Sequence, residues 1–145
     1  MFKKIMLALD GTTLDDGALR CAADLAGESS GEVVVIHVTE LIGGRGSGPM
    51  HLDEPDRLAN VRREVRSLAR EGIATELEVH STIVDTAADV IAAAARRAGA
   101  DVIVTGSADH GRLRAALVGS VPRKLVRVAP CPVLTVRGER APIAA

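Results

Sequence analysis

Aromatic residues are almost absent from this chain, with one Phe, no Trp and no Tyr in 145 residues. A core must therefore be assembled from Ala, Val, Leu and Ile. No aromatic platform exists on which bases of a single strand would stack, which weighs against a nucleic-acid partner. Charge of one sign is also lacking. The formal net charge is −1, so no overall basic field draws DNA or an anionic membrane to the surface. Cysteine is scarce. Cys21 and Cys131 are too few for a disulfide framework, and both read as structural thiols, since nothing near them in sequence signals a low-pKa setting. No apolar run reaches membrane-spanning length. The N-terminus carries Lys3-Lys4 but neither the apolar region nor the cleavage signature of a signal peptide. No H-x-x-x-H or Cys/His spacing points to a metal site. These absences predict a cytoplasmic protein without a metal, off the membrane and off nucleic acid.

Apolar residues make up 47% of the sequence, which excludes a disordered chain and suits one domain with a proper core. Short apolar runs alternate with longer amphipathic ones. Lys4 to Leu9 reads as a strand ended by Asp10-Gly11. Thr12 or Thr13, with Asp15 and Asp16 as capping-box acids, opens a helix. Leu14, Ala18, Cys21, Ala22 and Leu25 recur along it at helical spacing. Val33 to Val38, broken only by His37, reads as a strand covered on both faces. The Gly-rich stretch between Leu41 and His51 fits neither a P-loop nor G-x-G-x-x-G and reads as a surface loop.

Leu58, Val61, Val65 and Leu68 mark a second helix, starting near Asp53 to Asp56 and ending by Gly72. Ile73 to Ser81 alternates, as in a half-exposed strand. Asp85 or Thr86 caps a third helix, stopped by Gly99. Val102 to Thr105, Ser120 to Ala129 and Val133 to Val136 then read as strand, helix and strand. Five strands alternating with four helices predict an α/β fold with a parallel sheet covered on both faces. The unit spans residues 1–138, and the unpatterned residues 139–145 read as a mobile tail.

The segment from Asp101 to Arg137 carries the functional signal. An apolar run stops at Gly106-Ser107, and a second pair, Gly119-Ser120, opens the last helix. Strand, glycine turn and helix start make a phosphate cradle, because glycine lets the backbone approach an anion and helix-start N–H groups point at it. Between His110 and Gly138 there is no Asp or Glu, yet Arg112, Arg114, Arg123, Lys124, Arg127 and Arg137 fall there. This run fits a basic rim around an anion and fits a solvated helix face equally well. In such sheets ligands bind beyond the carboxyl ends of the strands, where the strand order reverses. Gly11 and Gly106 suit that place if the first and fourth strands are neighbours.

These stretches resemble the universal stress proteins, over nearly the whole chain. The likeness rests on IMLALDG, on VVVIHV, on ADVIVTGS and on GSV…LVRVAPCPVLTV. The resemblance implies a single-domain, Rossmann-like sheet in the order 3-2-1-4-5, and a dimer in many members. One branch of the family binds ATP and carries G-x2-G-x9-G-(S/T) after the fourth strand. Here the spacing is kept as Gly106-x2-Asp109-x9-Gly119-Ser120, with Asp109 in place of the second glycine. A carboxylate there repels phosphate and its side chain blocks close approach, although Gly111 offers a shifted turn. Pro122 stands where binding members often have Thr or Ser, and it offers neither hydroxyl nor N–H.

The resemblance makes Asp10 the adenine-side aspartate and Val38 a residue whose backbone meets adenine. It leaves Gly119, Ser120 and Val121 as the helix-start cradle. The implied nucleotide site is then Asp10, Val38, Gly106, Ser107, Asp109, Gly111, Gly119, Ser120 and Val121, with ATP or AMP as ligand. Ser120 is equally a favourable N-cap, and Asp10 before Gly11 is also ordinary turn chemistry. His37 reads as a packed structural residue, His80 as exposed, and His110 as either a phosphate contact or a loop residue. Three functions follow. The first is a nucleotide-responsive regulatory module, and the second a dimeric interaction protein that has lost its ligand. The third and weakest is a slow ATPase, for which no base or P-loop lysine is evident. A homodimer is expected through the Val133–Val136 strand.

Overall fold

The computed structural model describes residues 1–11, 16–41, 54–83, 85–106 and 120–137, with backbone only for Asp16, Glu54 and Ser120. In chain order the elements are β1 Lys4–Ala8, α1 Asp16–Ser29, β2 Glu32–Glu40, α2 Glu54–Arg70, β3 Ala74–Thr82, α3 Ala87–Ala98, β4 Val102–Gly106, α4 Ser120–Val128 and β5 Val133–Val136. The strands form one parallel sheet in the order β3-β2-β1-β4-β5. This matches the predicted alternation and the order that the family resemblance implied. The predicted caps Thr12, Thr13 and Asp15, the Gly-rich loop and the tail 139–145 lie outside the described residues.

Strand parity decides which helix covers which face, because successive side chains point to opposite sides. Ile5, Leu7, Val33, Val35, Val102 and Val104 pack with Ala18, Ala22 and Ala26 of α1 and with Val61 and Leu68 of α2. Met6, Val34, Ile36 and Ile103 face the other way, onto Ala88, Ile91, Ala94 and Ala95 of α3 and Leu125 of α4. Both cores use alanine on the α1 and α3 faces against branched strand residues. Small helix side chains let these helices lie close to the sheet, so interdigitation replaces the aromatic bulk that the sequence lacks.

Long-range polar contacts tie the layers together. The Lys3 and Lys4 amides, before and at the start of β1, donate to Asp101 Oδ2 at 2.9 Å each. On the other face, Lys124 Nζ of α4 meets Asp89 Oδ2 of α3 at 2.7 Å and Thr86 Oγ1 at 3.0 Å. Thr86, not Asp85, is the N-cap of α3 and forms a capping box with Asp89. The Ala87 amide there donates to Glu40 Oε1 at 2.6 Å. Gly99 closes the helix in the left-handed conformation at φ 66°.

Two carboxylates in these ties are expected to add to the acid sensitivity of the fold. The Lys124 ammonium, followed by the Thr86 hydroxyl, holds the Asp89 carboxyl below its ordinary range. The amides of Lys4 and Lys3 do the same for Asp101. Both groups are depressed in the folded state. Their stabilisation is therefore complete above the unfolded carboxylate value of about 3.9 and is lost as pH falls through the lower folded values. Thermal unfolding is expected to shift to lower temperature below about pH 4. The acid limb should flatten in the Asp89→Asn, Asp101→Asn double variant, and an unaltered limb would contradict the assignment.

Candidate functional site

The strand order reverses between β1 and β4. From β1 the chain moves outward through β2 to β3, then returns to build β4 and β5 on the other side. β1 and β4 are paired in parallel, with Ala8 opposite Thr105. Asp10-Gly11 after β1 and Gly106 at the end of β4 are therefore brought to the same point. β1 and β4 are thus neighbours, and sheets of this kind take ligands beyond the strand ends at such a switch point.

The β1 exit is tightly determined. Leu9 N donates to Ile36 O of β2 at 3.0 Å. The buried His37 contacts Leu9 O through Nδ1 at 2.9 Å. A carbonyl oxygen only accepts, so Nδ1 carries the proton in that bond. Asn60 Nδ2 of α2 donates to Gly11 O at 3.0 Å. Gly11 is buried with φ +73°, and a Cβ there would run into the Arg57 carbonyl oxygen. Asp10, between these two held carbonyls, is exposed. Gly11→Ala combines left-handed strain with a backbone clash, so a stability loss on the order of 1–3 kcal/mol or more is expected. Denaturant unfolding checks this, and an unchanged midpoint would show that the turn relaxes freely.

The other predicted site residues divide cleanly. Val38 is half-buried near the end of β2 and packs against the α3/α4 core. Its β3 neighbour in register is His80. His80 is half-buried rather than exposed, and its Nε2 pairs with Glu78 Oε2 at 3.0 Å. Gly106 ends β4 opposite Val136, and the buried Thr105 hydroxyl bonds the Gly106 carbonyl at 3.3 Å. Ser120 opens α4, Val121 packs on the α3/α4 core, and Pro122 is buried in the first turn. A proline there is compatible with the helix because that turn's N–H groups lack intrahelical partners. Ser107, Asp109, Gly111 and Gly119 lie outside the described residues, as do His110, Arg112 and Arg114.

The basic rim needs one correction. Lys124 points to Asp89 and Thr86 on α3, so its charge is already matched. Arg123, Arg127 and Arg137 are exposed. Burial pushes both Cys21 and Cys131 up from the ordinary thiol value, and both are unpaired. Among the described residues no group of three or more His, Cys, Asp or Glu side chains is placed to hold a metal, and no helix is long and apolar enough to cross a membrane.

The α/β module with a β1/β4 switch point is the architecture of a known family. The Universal stress protein family profile matches residues 1–137, and the chain belongs to that family. It is 33% identical over 150 residues to the universal stress protein in the QAH/OAS sulfhydrylase 3′ region of Thermus aquaticus. It is 30% identical over 148 residues to universal stress protein YxiE of Bacillus subtilis, and in both cases 94% of this chain aligns with all of the relative. A solved universal stress protein of Archaeoglobus fulgidus superposes with a TM-score of 0.72 at 25% identity, covering 94% of this chain and 99% of that one. Two further solved folds are similar. A universal stress protein of A. fulgidus in complex with dAMP gives a TM-score of 0.68 at 24% identity, over 93% and 98% of the two chains. A universal stress protein in complex with cAMP gives 0.64 at 21%, over 95% and 98%.

Proposed function

We propose that this chain binds an adenine nucleotide, ATP or AMP, across the carboxyl ends of β1, β2 and β4, and serves as a nucleotide-responsive regulatory module of the cytoplasm. The reading rests on the β1–β4 pairing, which brings Asp10 and Gly106 together at the switch point. Asp10 and Val38 would meet the adenine side. Gly106, Ser107, Asp109 and Gly111 would border the phosphates, with Gly119, Ser120 and Val121 offering the helix start. The dAMP and cAMP found in the two similar solved proteins belong to the same chemical class. Unpaired Cys21 and Cys131 suit a reducing compartment. The proposed action is binding rather than turnover, and phosphate release above background, lost in Gly119→Val, would instead make the protein a slow ATPase.

A second reading is favoured by Asp109 and Pro122, which depart from the ATP-binding pattern. On this reading the chain is a dimeric interaction protein without a ligand. Thermal shift separates the two. A ligand that binds only the folded state stabilises it by about 2.7 kcal/mol at one hundred times its Kd. ATP, AMP or adenosine raising the unfolding temperature supports the first reading, and no shift with any of them supports the second.

Both readings include a homodimer. β5 is the edge strand beyond β4, and Leu134 on it is 40% exposed. Val126 of the adjacent α4 is 67% exposed. An unpaired edge of Val, Leu and Thr invites pairing with another chain, and a two-fold axis would close that contact on its own copy. Light scattering is expected to give twice the monomer mass at micromolar concentration. A monomer would contradict this.

A further inference from the structure

We infer that His37 and Asn60 are positioning residues for nucleotide recognition, acting through the β1 exit turn that presents Asp10. This deepens the proposed adenine site and rests on it. The carbonyls of Leu9 and Gly11 flank Asp10 in the chain. Each is held by a side chain from a different element, the first by His37 Nδ1–H from β2 and the second by Asn60 Nδ2 from α2. The Leu9 amide is held as well, by Ile36 O. The peptide planes before Asp10 and after Gly11 are therefore oriented by the body of the fold. Gly11 is pressed against the Arg57 backbone, one helical turn before Asn60.

Buried turn carbonyls need partners, and here both partners are side chains reaching in from other elements. Here a 2%-exposed histidine and an amide from a distant helix fix the turn around an exposed carboxylate. Holding a recognition group in its working geometry before the ligand arrives removes the ordering penalty from binding. Asp10 itself would be the contacting group, with His37 and Asn60 acting through it. Because the turn serves the adenine side, its disturbance should weaken adenosine and ATP by the same factor.

The test is calorimetric titration of adenosine and ATP into the full chain and three variants, at a temperature where all are folded. His37→Leu keeps an apolar filling but removes the donor. His37→Asn places an amide donor where Nδ1 stands, yet loses ring volume. Asn60→Ala removes the second donor on a half-buried helix position and guards against a His37→Leu chain that fails to fold. Unfolding midpoints should drop in both His37 variants. Affinity should drop only in His37→Leu and Asn60→Ala, on the order of tenfold and equally for both compounds, with His37→Asn near wild type. Unchanged affinity in His37→Leu and Asn60→Ala, with wild type binding normally, overturns the inference and leaves the site reading intact. Loss of ATP affinity alone also overturns it. Wild-type protein that binds neither compound overturns the site reading, and this inference with it.

Discussion

Gly119→Val is expected to abolish adenine-nucleotide binding while the fold survives. Gly119 immediately precedes Ser120, the first residue of α4, where helix-start N–H groups face outward without intrahelical partners. A phosphate held there approaches the backbone itself, and glycine is the residue that permits the approach. A branched Cβ at this position would take the phosphate's place. Hydrogen bonds to a charged group are worth about 1.5–3 kcal/mol each. Losing two of them weakens binding by on the order of 100-fold or more, since about 1.4 kcal/mol is tenfold. Calorimetry with ATP checks the loss, and the unfolding midpoint checks the fold. Unchanged affinity would place the nucleotide elsewhere on the protein.

Asp109→Gly is expected to act in the opposite direction. It restores the glycine of the ATP-binding pattern and removes a carboxylate from the proposed phosphate side. Two unit charges about 4 Å apart repel by roughly 4 kcal/mol at an effective dielectric near 20. The rim offsets part of this. Arg123 is exposed on α4, whereas Lys124 is matched by Asp89 and contributes less than its place in the sequence suggested. The net gain in ATP affinity is expected to be on the order of tenfold. Adenosine should gain little, because only phosphates feel the charge. Added salt should shrink the ATP gain if the site is open to solvent. Equal gains for ATP and adenosine would show that repulsion is not the cause, and Pro122 would become the residue to exchange next.

Residue patterning carried the elements because the signal for each is local. The run Val33–Val38 had to be a strand covered on two faces, and it lies within β2, whose residues 33–37 are buried. Leu58, Val61, Val65 and Leu68 defined α2, but the same helix also buries Glu64 at 6% exposure, which a stripe of apolar residues does not foretell. Adjacency was a different matter. Nothing within β1 or β4 says that Ala8 lies opposite Thr105, and the order 3-2-1-4-5 came from family resemblance rather than from periodicity.

The polar ties were the least legible. Asn60 and Gly11 are 49 residues apart, and His37 and Leu9 are 28 apart. His37 was readable as a packed, hydrogen-bonded residue, but not as a holder of the turn before Asp10. Lys124 looked like one charge among several in a basic run, and only the packing of α4 on α3 brings it to Asp89. Such contacts leave no short-range pattern, because the partners lie far apart in the chain until the fold joins them.

The proposed adenine-nucleotide site lies where β1, β2 and β4 end. Amide chemical-shift mapping of the isotope-labelled protein during an ATP titration tests it most directly. Saturable shifts are expected at Asp10, Gly11, Val38 and Gly106 and at Gly119 through Val121. Amides at the opposite end of the sheet, such as Lys4, Glu32 and Ala74, should stay in place. Saturable shifts confined to that opposite end, or none anywhere at millimolar ATP, would contradict it.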